Sequence, residues 1–335
     1  MREKLLWTIG CSLLLSLAVR AQTSTPSPPA KPADASPHKV QFVTVEPGVK
    51  LEVLDWGGTG RPLVFLAGLG FDAHGFDTIA PKLVPKYHVY AISRRGFGAS
   101  SAPQPRNGNY SANRLGDDVL AVIDALKLQR PVLAGHSIAG EELSSIGTRH
   151  PEKVAALIYL DAGYPYACYD PIHGDIILDS LDLKKKLDLF VSAAVPEMNE
   201  FFSDLQTTLP RFENDVTETR KKLALSPPRP PHAGTPPPIY VAINAGEQKY
   251  TGIHAPVLAF FAVPHDLSQV FPNDPVARKA AADYDLRTTG AQADAFAKCA
   301  PGARIVRLPN ANHWIFDSDE AEVLREMNAF LANLP

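Results

Sequence analysis

Ser137 stands in the stretch "PVLAGHSIAGEEL", Pro131 to Leu143, at an abrupt change of pattern. An apolar run precedes it, and a helix-like sequence follows it. A chain that passes from strand to helix through a strained corner exposes its serine oxygen at the top of a sheet, as in a nucleophile elbow. Gly135 lies two residues before Ser137, Ala139 two after and Gly140 just behind, so small residues surround the corner. A helix N-terminus directly after the serine adds backbone N–H donors and a positive dipole end. The chemistry such a site offers is nucleophilic catalysis. A serine hydroxyl is a weak nucleophile and needs a base, and the base needs an acid to fix its tautomer. The stretch alone also fits an ordinary strand-to-helix connection with a capping serine.

The elements that must position Ser137 are legible along the chain. "KVQFVTVE" and "VKLEVLDW" read as strands joined by a Pro-Gly turn. "RPLVFLAG" is a nearly continuous apolar run, which suits a strand buried on both faces. "YHVYAIS", "RPVLAGH" and "VAALIYLDAG" continue the strands. Between them lie a short helix around "FDTIAPKLV", a helix with apolar spacing in "SANRLGDDVLAVIDALKL", and "AGEELSSIGTRH". Ser111 is the expected N-cap of the second of these. This alternation predicts a mostly parallel sheet covered by helices.

The alternation breaks between about Tyr164 and His254, where helical patches and the proline-dense "SPPRPPHAGTPPP" replace strands. It resumes with "PVLAFFAVPHD", a long helix from Pro275 to Cys299, "ARIVRLP" and the closing helix "EAEVLREMNAFLA". The middle segment reads as an insertion between strands six and seven. It is expected to lie over the sheet edge where open α/β folds bind ligands.

Residues 1–21 read as a secretory signal. Arg2 and Lys4 precede an apolar run from Leu5 to Val19, and "VRA" ends at Ala21, the expected cleavage point. Residues 22–38, rich in Pro, Ser, Thr and Ala, read as a disordered tether. Export leaves Cys168 and Cys299, which an oxidising compartment permits to pair. Spacing alone leaves that pairing open. The net charge of -3 argues against a nucleic-acid binder, and Lys184–Lys186 reads as a solvated helix face. No H-x-x-E-H, H-E-x-x-H or paired C-x-x-C run occurs, so neither metal nor cofactor is expected.

Taken together, the chain resembles the α/β-hydrolase superfamily over about residues 39–163 and 255–335, with residues 164–254 as a helical cap. "SRRGFGASSAP" carries part of the resemblance: Arg95, Gly96, Gly98 and Ser100 keep the spacing of Asp-x-Arg-Gly-x-Gly-x-Ser, while Ser93 replaces the Asp. The resemblance implies an eight-stranded, mostly parallel sheet with the cap between strands six and seven. It implies Ser137 as nucleophile and His313, after the last strand, as base. The acid it implies is Asp266, after strand seven, with Asp161, at the end of strand six, as the alternative. The order Ser137, Asp266, His313 matches the family's chain order. The oxyanion donors map to the backbone N–H groups of Leu69 and Ile138, although Ala67 replaces a frequent histidine. His136 is expected to pack inward, and His265 to face solvent. Phe190, Phe201, Phe202 and Phe212 read as helix packing more than as pocket lining.

These expectations describe an exported carboxylic ester hydrolase working through an acyl-enzyme on a small-molecule substrate, without a membrane span once the signal is removed. A perhydrolase, amidase or acyltransferase on the same residues, or a non-catalytic ligand-binding member of the fold, are the alternatives.

Overall fold

In a computed structural model, residues 36–106, 108–225 and 235–334 are described. The signal and most of the tether lie outside these residues. Eight strands form one sheet: β1 (Lys39–Glu46), β2 (Val49–Gly57), β3 (Pro62–Leu66), β4 (His88–Ile92), β5 (Val132–His136), β6 (Ala156–Leu160), β7 (Val257–Ala262) and β8 (Arg304–Leu308). Their spatial order is β1-β2-β4-β3-β5-β6-β7-β8. The β1–β2 and β2–β4 pairs are antiparallel, and β4 through β8 run parallel. The helices are α1 (Ala80–Leu83), α2 (Ala112–Ala125), α3 (Ala139–Arg149), α4 (Ile176–Val191), α5 (Met198–Ala224), α6 (Pro238–Asn244), α7 (Pro275–Cys299), α8 (Ile315–Ser318) and α9 (Glu320–Leu331).

Every residue of β5, β6 and β7 is buried. That is why these strands read as unbroken apolar runs and not as alternating ones. Successive side chains still serve opposite layers. Leu133 joins the core beneath α2 and α3, with Leu115, Val119, Leu143 and Ile146. Val132 and Ala134 join the other layer, with Phe76, Val323 and Met327. Ser111 caps α2 as expected, its hydroxyl accepting from the Arg114 N–H at 3.4 Å.

The segment after β4 is a structural brace. Arg95 is fully buried and donates to both carboxylate oxygens of Asp118 on α2, at 2.5 and 2.6 Å. A guanidinium taken out of water needs such a bidentate partner. Ser93, which replaces the expected Asp, donates to Glu52 Oε2 at 2.6 Å and accepts from the Ala73 N–H at 3.0 Å. Glu52 on β2 thus brings a carboxylate to this corner from a neighbouring strand.

Between β6 and β7 the described residues contain three helices, α4 to α6, and no strand. The helix α6 lies over the loops that follow β3 and β4. A Cβ on Gly70 would fall 2.6 Å from the Tyr240 hydroxyl, and one on Gly96 would fall 2.9 Å from Ile239 Cδ1. Phe190 and Phe201 stack at 5.5 Å, but Phe190 and Phe202 remain exposed. This aromatic group is therefore an outer cluster of the insertion and not its core.

Cys168 and Cys299 form a disulfide, with their Cα atoms 6.2 Å apart. It ties the start of the insertion to the end of α7. Closing so long a loop removes much conformational freedom from the unfolded chain. Cys168→Ser should therefore lower the unfolding free energy by about 2–5 kcal/mol. Urea titration of the variant beside the oxidised parent measures it, and an equal midpoint in both proteins would contradict it.

Candidate active site

Ser137 follows β5 directly and has φ +54°, a left-handed conformation rare for a residue with a side chain. The corner is held on all sides. A Cβ on Gly135 would lie 2.9 Å from Leu143 Cδ1 and 3.1 Å from Ala139 Cβ. At Gly140 it would lie 2.0 Å from the Ala162 carbonyl oxygen. The glycine that the corner cannot replace on the helix side is therefore Gly140, which explains why Ala139 is tolerated. Ser137 itself is buried.

His313 sits between β8 and α8, also buried. Its Nδ1 lies 2.6 Å from Asp161 Oδ2. An ionised carboxylate can only accept, so Nδ1 carries a proton toward it. Asp161 follows β6 and has φ +48°, a second left-handed residue at the same end of the sheet. It is completely buried. Its Oδ1 accepts from the Ala262 N–H at 2.9 Å and from the Tyr164 hydroxyl at 3.0 Å. Burial alone would raise the Asp161 carboxyl, but His265 and His313 overcome this and hold it well below the usual carboxylate range.

Here the structure departs from the expected pairing. Asp266 does not meet His313. Its carboxylate accepts from the Ser268 N–H at 2.8 Å and from the Ser268 hydroxyl at 2.9 Å, closing an Asx turn. Its backbone N–H is tied to the Ala311 carbonyl at 2.8 Å. The turn after β7 sends the neighbouring side chain inward instead. His265, expected to face solvent, is buried, with Nε2 3.1 Å from Asp161 Oδ2 and Nδ1 2.9 Å from Asp285 Oδ2.

His136 is buried beside Ser137, against the rings of His313 and Trp314 at 4.6 and 4.4 Å. Its Nε2 donates to the His313 carbonyl at 2.9 Å. Burial, reinforced by the neighbouring His313, pushes its pKa down to about 3, so the ring is neutral. It acts as a spacer that fixes the backbone of His313.

Gly68 brings the loop after β3 against the corner. A Cβ there would lie 3.2 Å from Ser137 Cβ and 2.8 Å from His136 Nδ1. Leu69 comes next, and Ile138 follows Ser137, both buried. Neither backbone N–H has an acceptor among the described residues. Phe71 and Trp314 meet edge to face at 4.2 Å and bridge the Leu69 loop to the His313 loop.

Among the described residues, two groups have ligand atoms close enough to hold a metal ion: His38, His74 and Asp77, and Asp161, His265 and His313. In the second group His313 Nδ1 and His265 Nε2 face the carboxylate as donors, so the nitrogens nearest it offer an ion no lone pair.

A parallel sheet with a left-handed serine after β5 and a buried Asp–His pair behind it defines the class. The profile described as the alpha/beta hydrolase family matches residues 63–326, and the chain belongs to that family. Curated relatives include a putative non-heme haloperoxidase from Mycobacterium phage D29, 32% identical over 120 residues, which are 34% of this chain and 41% of that protein. A fluoroacetate dehalogenase from Burkholderia sp is 30% identical over 118 residues, 35% of this chain and 39% of that protein. The matches thus span about two fifths of either relative. Among solved structures, a bromoperoxidase from Bacillus anthracis superposes with a TM-score of 0.55 at 19% identity, covering 88% of this chain and 100% of that one. A thermophilic esterase from Thermogutta terrifontis gives 0.52 at 16% identity, covering 88% and 98%. At such identities the likeness is one of fold.

Proposed function

We propose that the protein is an exported serine hydrolase that cleaves carboxylic esters through an acyl-enzyme on Ser137, with His313 as base and Asp161 as acid. The observation that carries the reading is the left-handed serine after β5 together with the 2.6 Å His313–Asp161 pair, both buried at one end of the sheet. His313 Nε2 takes the hydroxyl proton as Oγ attacks the acyl carbon. The N–H groups of Leu69 and Ile138 receive the oxyanion, each worth about 10²–10³ in rate. His313 then passes the proton to the departing alcohol, and a water, activated the same way, releases the acid. The helices between β6 and β7 serve as the cap of the acyl pocket, because α6 already sits over the loop bearing Leu69. Export is supported by the leader-like start of the chain and by the Cys168–Cys299 bridge, which an oxidising compartment maintains.

A second reading has hydrogen peroxide, not water, accept the acyl group and leave as a peracid. The haloperoxidase-named relative and the bromoperoxidase neighbour favour it. One set of assays addresses both. A fluorophosphonate should label Ser137, located by mass spectrometry of the digest. A panel of p-nitrophenyl esters of increasing acyl length should then be hydrolysed, with added peroxide diverting product to peracid only under the second reading. Labelling elsewhere, or none, would remove both. N-terminal sequencing of exported protein should begin at Gln22, and an intact Met1 would remove the cleavage.

A further inference from the structure

The site holds a charged group that the proposed chemistry does not use. His265 shares Asp161 with His313, the two rings approaching the same oxygen, Oδ2. Its two ring nitrogens face two carboxylates, Asp161 Oδ2 at 3.1 Å and Asp285 Oδ2 at 2.9 Å. Carboxylates only accept, so a ring that bonds both must carry two protons and a positive charge. The arrangement is built from three elements. Asp161 comes from the end of β6, His265 from the turn after β7, and Asp285 from the middle of α7. Asp285 is itself fixed, accepting from the His265 backbone N–H at 2.7 Å and from the Thr289 hydroxyl at 2.7 Å. The Tyr164 hydroxyl closes the ring of contacts, 3.0 Å from both Asp161 Oδ1 and His265 Nε2. His313 lies further on, its ring centroid 6.4 Å from that of His265, with the neutral His136 ring 4.6 Å from that of His313.

We propose that His265 is an imidazolium positioning residue, held between Asp161 and Asp285, that keeps Asp161 ionised and sets the pH at which His313 works as a base. The proposal rests on Asp161 and His313 acting as a pair, as the proposed function has it. Desolvation would push the His265 ring down, but the charges of Asp161 and Asp285 outweigh it and raise its pKa to about 10. A carboxylate buried as deeply as Asp161 is costly to ionise without compensation. The cation beside it supplies that compensation. It also opposes the pull of Asp161 on a proton at His313, so that His313 stays free to accept one from Ser137. Asp285 neutralises the cation in turn, leaving the four-residue row with one net negative charge before catalysis.

His265→Gln separates charge from shape, because the amide can still donate toward Asp161 while carrying no charge. Unit charges on rings 6.4 Å apart still interact appreciably at an effective dielectric near 20. The expected result is therefore a rise of about one to two pH units in the acid limb of the pH–rate profile. The sign follows from both partners: without the cation, Asp161 protonates more readily and His313 holds a proton more strongly. The rate to follow is phosphonylation of Ser137, which needs no knowledge of the ester. An acid limb that stays in place while His265→Gln reacts would overturn the proposal. A second measurement needs no variant. In ¹⁵N-histidine-labelled parent protein, both ring nitrogens of His265 should remain protonated up to at least pH 8, and loss of a proton below pH 7 would equally overturn it. If Ser137 fails to react at all, the serine-hydrolase reading fails, while the nitrogen signals still decide the state of His265.

Discussion

Asp161→Asn should cut kcat by about 10⁴-fold, and Asp266→Asn should leave it within about twofold. The first change is expected to keep the side chain's shape. It replaces one acceptor oxygen with an amide that donates, so the Nδ1–H of His313 loses its partner or the ring adopts the other tautomer. The first outcome leaves the ring unheld, and the second takes the lone pair off Nε2. The second change touches only the Ser268 turn, which the Asn oxygen can still cap. The measurement is steady-state hydrolysis of the best p-nitrophenyl ester, with urea unfolding to show that both variants fold. Asp161 also accepts from the Ala262 N–H, so a modest stability loss in Asp161→Asn is expected alongside the catalytic one. A reversed ranking of the two variants would return the acid to the turn after β7.

Ser137→Ala should remove about 10⁶-fold in kcat, because the acyl-enzyme route disappears with the oxygen. The fold should tolerate it. Gly135, Ala139 and Gly140 set the space around the corner, and alanine asks for no more room than serine. Adding His313→Ala to Ser137→Ala should cost little more, since the base has nothing left to deprotonate. Residual ester cleavage of comparable size in the single and double variants is the expected pattern. A Ser137→Ala enzyme with parental turnover would place the chemistry elsewhere in the fold.

The succession of strands and helices, the corner at Ser137 and the position of His313 were legible because each leaves a local signature. Buried strands leave apolar runs, the corner leaves small residues, and His313 falls between the last strand and the closing helix. The partner of His313 left no such signature. Asp161 and Asp266 both follow strands of the same sheet, and no periodicity says which one turns inward. That is decided by the turn after β7, where the Ser268 N–H and hydroxyl claim the Asp266 carboxylate. His265 was misplaced for a related reason. What it pairs with is Asp285, twenty positions on within α7, and an acid in a long helix that also carries Asp283 and Asp294 ordinarily reads as a solvated face. Pairing across distant segments is a property of the assembled fold. Gly163 hints at the tight packing after β6, since a Cβ there would lie 2.3 Å from Phe261, but that reason too is visible only in three dimensions.

The Cys168–Cys299 bridge closes a loop that contains helices α4 to α6, His265 and Asp285, while Ser137 and Asp161 lie before it and His313 lies after it. A protease that cuts anywhere inside that loop therefore yields a nicked enzyme that is still one covalent molecule. Ser137 and His313 then sit on different pieces, joined covalently through sulfur alone. Where proteases are present and reductants scarce, such a chain can be cut and keep its parts together. Separation into two chains requires both a cut and a reductant.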